Sequence, residues 1–190
     1  MLYTRKGDSG TTKTFSMKSG VRISKSSCTT EALGAMDEIN SFLGLCKVKA
    51  NEKKFSMFRV GTSGLYFRDL VHQIQQSLFI IQAELAGAPK TIPEIKVKNM
   101  ETLVDAIESE MPPIKSFFIS GGTELGAMFD VARTMARRAE RRVVQAVEKK
   151  EVTISEHTKS YLNRLSSLLY ALARLSNYRA GIKEEPPTYE

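Results

Sequence analysis

From Thr30 onward, apolar residues recur three and four positions apart, the spacing that lines one face of an α-helix. Ala32, Met36, Ile39, Phe42, Leu43 and Cys46 make the first stripe, which runs to about Val48. Leu70, Val71, Ile74, Leu78, Ile81 and Leu85 make the second, closed by Gly87 and Pro89. Residues 88–96 read as a loop, and Leu103, Val104, Ile107 and Met111 mark a shorter helix stopped by Pro112 and Pro113. An apolar segment at Phe117 and a Gly121-Gly122 turn then lead to Thr123, a hydroxyl placed to cap a long helix. Met128, Ala132, Met135, Ala136, Ala139, Val143, Ala146 and Val147 share one stripe of that helix. After a connection near residues 151–155, a last helix sets Tyr161, Leu162, Leu165, Leu168, Leu169, Leu172 and Leu175 on one side. Asn163, Tyr170, Arg174 and Asn177 lie on its other side. Five helices with short connections predict an all-α bundle with these stripes as its core.

Three stretches lack that period. Residues 1–29 carry turn formers, hydroxyls and cations, residues 49–64 read as a polar connection with a few apolar anchors, and residues 182–190 read as a mobile tail. No internal repeat or linker divides the chain, so a single domain over residues 1–190 is expected, with 30–181 as the bundle.

The polar face of the long helix adds chemistry to this outline. Arg133, Arg137 and Arg141 fall opposite the packing stripe, Arg138 and Arg142 lie beside them, and no lysine interrupts the five. Guanidinium is suited to forked contacts with phosphate or carboxylate. A solvated face held by pairs such as Asp130 with Arg133 or Arg137 with Glu140 accounts for the same spacing. The helix taken alone supports both readings equally. Asp37 lies off its own apolar stripe, among Gly34, Ser41 and Gly44, and His72 reads as a surface or rim residue.

With 42% hydrophobic and 26% charged residues over 190 positions, the composition is that of a globular chain. A net charge of +7 predicts anionic partners: nucleotides, nucleic acid or an acidic membrane surface. Cys28 and Cys46 with His72 and His157 offer neither a disulfide framework nor a zinc spacing, so a reducing cytoplasm is the expected home. No signal-peptide pattern opens the chain, and no apolar run approaches the length of a membrane span. Near the start, Gly7, Gly10 and the hydroxyls of Thr4, Ser9, Thr11, Thr12 and Thr14 offer donors to phosphate oxygens, with charge from Lys6, Lys13 and Lys25. The spacing is not that of a Walker A loop, and taken alone the stretch reads better as a flexible arm.

Four features stand together in order: K-G-D-S-G at residues 6–10, K-S-S-C-T-T-E-A-L-G-A-M-D-E from Lys25, R-T-M-A-R-R-A-E-R from Arg133, and Y-L-N-R-L-S from Tyr161. At those intervals the chain closely resembles the PduO-type ATP:corrinoid adenosyltransferases over nearly its whole length. The resemblance implies a five-helix bundle, usually trimeric, with ATP held between subunits and an N-terminal loop wrapped around the triphosphate. By position, Thr4, Arg5, Lys6, Gly7, Thr12, Lys13 and Lys25 become loop contacts to ATP. Arg133, Arg137 and Arg141 become the matched arginines, with Glu140 and Asn163 completing the site and Arg138 counted among the ATP contacts. Asp37 falls on the aspartate that pairs with Arg133, and Phe117 on the aromatic that helps displace the lower axial ligand of the corrinoid. Departures from the pattern are Lys6 before Gly7-Asp8, Ser26-Ser27 in place of an acidic pair, and Ser167 after L-S.

In the implied reaction, reduced cobalt attacks the 5′ carbon of ATP and expels triphosphate. Cobalt is itself the nucleophile, so no serine, cysteine or histidine machinery is needed. Mg²⁺ is expected with the triphosphate. A corrinoid reductase and an adenosylcobalamin-dependent enzyme are the implied protein partners, and neither a membrane nor nucleic acid is expected. The second reading is a basic helical nucleic-acid-binding protein, and the third a structural bundle that assembles through the ridge. The arginines recur beside Glu140, Asp130 and Asp37, which favours a shaped site over a broad basic surface.

Overall fold

A computed structural model describes residues 3–15, 21–52, 55, 59–60 and 64–189. Its helices are α1 (Cys28–Ala50), α2 (Phe67–Leu85), α3 (Glu94–Glu110), α4 (Glu124–Glu148) and α5 (Glu156–Arg179), so the five-helix, all-α expectation holds. Two short antiparallel ladders add to it. β1 (Thr11–Thr12) pairs with β2 (Ile23–Ser24), and β3 (Arg59–Val60) with β4 (Leu65–Tyr66). Two-residue strands are too short to leave a period in the sequence.

Helix starts follow their caps. Ser27, Thr123 and Ser155 each accept a hydrogen bond from the backbone N–H three residues on, satisfying one otherwise orphaned donor of α1, α4 and α5. Ser27, one of the two serines in place of an acidic pair, therefore starts α1 two residues before the expected Thr30. The third helix departs further from expectation. It starts directly after Pro93 and runs 17 residues, and because the whole helix buries only Val97, Met100 and Ile107, its charge-rich first turns leave little apolar period.

In space the helices follow the order α2, α1, α4, α5, α3. Alanines at 132, 136, 139 and 146 let α1 and α5 close on α4 from both sides. The core stripe of α4 is centred on Leu125, Phe129, Ala132, Ala136, Ala139, Val143 and Ala146, with Met128, Met135 and Val147 half-buried at its edge. Phe129 meets Phe67 of α2 edge-on at 6.0 Å between centroids. The last helix is sandwiched between α4 and α3, so residues 171–177 are all buried. Arg174 and Asn177, expected on a polar face, lie inside.

Polar ties close the ends of the bundle. Glu84 of α2 is buried and accepts from the Ser155 N–H at 2.6 Å and from the Thr158 hydroxyl, fixing the start of α5. The end of the chain, expected to be mobile from residue 182, is held at its first residues. Ile182 N–H donates to the Asn177 carbonyl at 3.0 Å, and Glu184 pairs with Arg174 at 2.9 Å.

Gly126 marks the tightest approach of α4 to α5. A Cβ there would lie 2.5 Å from Asn177 Oδ1, 2.8 Å from Thr123 Oγ1 and 3.1 Å from the Ala173 carbonyl oxygen. Gly126→Ala, which gains helix propensity elsewhere in a helix, is expected here to destabilise by about 1–3 kcal/mol through overpacking. Thermal unfolding of the variant checks this; a melting temperature equal to wild type would show that the helices have room to part.

Candidate active site

A cavity of about 570 Å³ opens between the first half of α4, the second half of α5 and the irregular segment 114–120. Arg133 and Arg137 enter it from α4, Tyr170 from α5, and Phe117 and Phe118 from the segment. Arg133 is neutralised and oriented within the chain. Its Nε lies 3.4 Å from Oδ1 of the buried Asp130, and its guanidinium sits 5.7 Å from the centre of the Tyr170 ring. Burial pushes the Tyr170 hydroxyl above its ordinary pKa, so it remains a protonated donor beside these charges.

The arginine ridge splits into two rows. Arg138 pairs with Glu38, and Arg142 Nε lies 4.0 Å from Glu31, so this row is turned onto α1. Arg137 and Arg141 are exposed and have no carboxylate partner among the described residues. The Arg137–Glu140 pair of the surface reading does not form. Glu140 instead accepts from Asn163 Nδ2 at 3.1 Å, bringing together two of the expected site residues. What remains open is a narrow row of cations rather than the broad basic face that suits nucleic acid.

Segment 114–120 is anchored by an amide that the sequence reading placed on a polar face. Asn177 Oδ1 accepts from the Thr123 N–H at 2.8 Å and from its hydroxyl at 3.0 Å, while Nδ2 donates to the Gly121 carbonyl at 2.8 Å. Gly121 and Gly122 turn with φ of 138° and 96°, a region that side-chain-bearing residues rarely enter. A Cβ on Gly122 would also lie 2.6 Å from Asn177. The turn presents Phe117 with 80% of its surface exposed at the cavity mouth.

The N-terminal stretch is a built loop across its described residues, in place of the flexible arm that its composition alone favours. Lys25 N–H donates to the Gly10 carbonyl at 2.9 Å, Gly10 N–H to the Gly7 carbonyl at 3.1 Å, and the Lys25 ammonium lies 3.2 Å from where a Gly7 Cβ would stand. Thr4, Arg5, Lys6 and Lys13 are exposed, Gly7 and Thr12 half-buried. Arg22, which the sequence reading did not single out, donates to the Thr11 hydroxyl at 2.8 Å and to its carbonyl at 2.7 Å. Its signal was an arginine one residue before the short strand β2, too brief to register.

Loop and cavity lie toward opposite ends of α4. The loop runs into α1 at Thr29, which contacts Glu151 just past the end of α4, whereas Arg133 lies roughly 22 Å earlier along that helix at about 1.5 Å per residue. No hydrogen bond or ion pair joins the described loop residues to Arg133, Arg137 or Arg141. Asp37 is exposed and makes no ion pair among the described residues, where the partner of Arg133 is Asp130. Among the described residues no three of His, Cys, Asp and Glu converge as a metal cluster. Burial pushes the Cys46 thiol up to about 12, which leaves it inert. No described helix is long and apolar enough to cross a membrane.

The sequence profile of the cobalamin adenosyltransferases matches residues 2–176. The chain belongs to that family. It is 37% identical over 186 residues to the corrinoid adenosyltransferase PduO of Citrobacter freundii, covering 94% of this chain and 50% of that protein. The corrinoid adenosyltransferase of Bacillus subtilis is 37% identical, with 95% of this chain and 89% of that protein aligned. The chain thus spans about half the length of the PduO relatives it matches and most of the shorter Bacillus protein. A solved variant PduO-type ATP:corrinoid adenosyltransferase from Lactobacillus reuteri, complexed with cobalamin and ATP, superposes with a TM-score of 0.86. It is 26% identical and covers 100% of this chain and 97% of its own.

In this cobalamin adenosyltransferase family member the first turn of α1, where the loop ends, is tied to the α4–α5 connection by Glu151, which accepts from the Thr29 N–H at 2.8 Å and its hydroxyl at 2.9 Å. The backbone N–H of Thr29 is the main cause that holds the Glu151 carboxyl below its ordinary pKa. A depressed folded pKa means that its stabilisation is present at neutral pH and lost as pH falls through that lowered value, below the usual ~4.3 of a glutamate. Melting temperatures of wild type and Glu151→Gln are therefore expected to differ at pH 7 and to converge toward pH 3. A gap independent of pH would show that the charge contributes nothing.

Proposed function

We propose that the chain transfers the 5′-deoxyadenosyl group of ATP to the cobalt of reduced cob(I)alamin or a related corrinoid, releasing triphosphate. The observation that carries this reading is the unpaired row of Arg137 and Arg141 beside an apolar-lipped cavity that displays Phe117. In the reaction, the cobalt electron pair forms a bond to C5′ while the C5′–O bond breaks and its electrons leave on the triphosphate. The protein supplies position and charge. Arg137 and Arg141 meet the developing negative charge with forked donors. Arg138 reaches the phosphates only by leaving Glu38, so its share is smaller. Glu140 and Asn163, already hydrogen-bonded to each other, complete the nucleotide pocket. Phe117 covers the lower corrinoid face, keeping water and an axial base off the cobalt.

The loop residues Thr4, Arg5, Lys6, Gly7, Thr12, Lys13 and Lys25 cradle the triphosphate from a neighbouring subunit, because their own chain holds them away from its arginines. A homotrimer, with each site shared between two copies, satisfies this separation. Mg²⁺ fits such a site through the phosphate oxygens, since the described residues offer no carboxylate cluster for it; bound there, it would neutralise charge on the leaving group. A cytoplasmic setting, where a reductase keeps the corrinoid reduced and a dependent enzyme takes the product, suits the chemistry.

Anaerobic incubation with ATP, Mg²⁺ and chemically reduced cobalamin, followed by absorbance, tests the reading directly. Arg137→Ala is expected to lower turnover by roughly 100-fold or more, the scale of losing a transition-state charge contact, with an unchanged melting temperature. Normal turnover in that variant would remove the arginine row from the site.

Asp37 and Arg133 are proposed to pair across the subunit boundary. Arg133 uses only its Nε on Asp130 among the described residues, leaving its terminal nitrogens for a second carboxylate, and Asp37 has no ion-pair partner among the described residues of its own chain. A double-mutant cycle with Asp37→Asn and Arg133→Lys, read by sedimentation equilibrium and by ATP affinity, is expected to give a coupling of about 0.5–3 kcal/mol. Strict additivity would show that the two side chains do not meet.

A further inference from the structure

Among the described residues, Arg174 is the only buried cation, and it is held from three sides. Its Nε donates to both Glu184 carboxylate oxygens at 3.2 and 2.9 Å, its Nη2 donates to the Pro112 carbonyl at 3.3 Å, and its guanidinium lies 5.4 Å from the centre of the Phe118 ring. The next residue of the tail continues the contact, since the Glu185 carbonyl accepts from the Ile119 N–H at 2.8 Å. Segment 112–121 has no helix or strand ladder of its own. Three hydrogen bonds from described residues tie its backbone to the rest of the chain: Asn177 to Gly121, Arg174 to Pro112, and Ile119 to Glu185. Arg174 makes one of these three itself, and a second, Ile119 to Glu185, comes from the tail residue next to Glu184. Without the carboxylate, the buried guanidinium would keep only a carbonyl and a ring face, and the tail would lose its charged anchor.

We propose that Arg174 and Glu184 form a latch that positions the Phe117 segment for the corrinoid, Arg174 acting as a positioning residue and the tail as the removable half of the latch. The inference rests on the corrinoid reading of this cavity. Because Glu184 and Phe117 both line it, a corrinoid seated there favours the latched tail, and by linkage the latched tail favours the corrinoid. The nucleotide row at Arg137 and Arg141 lies on a different element and does not need the latch.

Two variants of the full chain test it: Glu184→Gln, which keeps size and removes charge, and deletion of residues 184–190, which removes the tail partner altogether. Each is expected to raise the KM for reduced cobalamin about tenfold while the KM for ATP stays within about twofold, the pattern of lost binding at one substrate alone. Glu184→Asp is expected to recover part of the loss. In wild type, cobalamin with ATP is expected to slow tryptic release of the peptide that follows the exposed Lys183, and in Glu184→Gln it should not. Equal rises in both KM values, kinetics unchanged in both variants, or no protection of Lys183 in an active wild type would each overturn the latch while leaving the adenosyltransferase reading intact. A wild type that forms no adenosylated product from reduced cobalamin would overturn that reading, and the latch with it.

Discussion

The structure depends on one steric condition: α4 must be flanked closely by α1 and α5 along one side while its other side stays charged. Alanine makes both halves of this compatible. With methyl groups at 132, 136, 139 and 146, the helix approaches its neighbours at small cost in side-chain entropy. Where even a methyl is too large, at Gly126, the sequence removes it, and Asn177 occupies the space. The positions of the cavity, the segment over it and the open arginine row all follow from that contact.

A second consequence concerns charge. The five arginines of α4 create mutual repulsion, and α1 answers with Glu31 and Glu38 on the row that faces it. These pairs are half-exposed, so each contributes little to stability. Their larger effect is directional, because they commit Arg138 and Arg142 to partners on α1 within the chain. The other row is left with Asp130 alone, and that carboxylate is spent on Arg133. Selective pairing thereby turns an arginine-rich helix face into one with a defined anion-facing line.

The helices and their packing were legible because the apolar periods at Ala32–Cys46, Leu70–Leu85 and Tyr161–Leu175 are long and each meets a recognisable cap or breaker. The early part of α3 was not, since Glu94, Lys96 and Lys98 interrupt its apolar positions, Glu94 and Lys98 exposed and Lys96 half-buried on the Ser77 hydroxyl. Arg174 and Asn177 were misplaced for a related reason. A helix packed on two sides buries positions that a one-face reading assigns to solvent, and no local pattern distinguishes a buried, paired arginine from an exposed one. Glu140 and Asn163, singled out in separate motifs, hydrogen-bond to each other across α4 and α5. Arg22 and the β1–β2 ladder lay below the length at which periodicity speaks. The same holds for Glu151, whose role depends on a contact with Thr29 more than a hundred residues away.

Asn177 joins two things that are usually independent, the cap of a helix and the end of a surface segment. Its oxygen serves the Thr123 backbone that starts α4, and its nitrogen serves the Gly121 carbonyl that ends the segment before it. Any outward swing of that end would have to break the donor to Gly121 or twist the amide away from the first turn of α4, and both glycines of the turn are already committed to unusual backbone angles. The segment is therefore less like a door on a hinge than like a bowstring, fixed at both tips and braced between them where the Ile119 N–H meets the Glu185 carbonyl. Both posts, Arg174 and Asn177, stand on α5, so the placing of Phe117 over the cavity and the packing of α5 against α4 are set by the same few contacts.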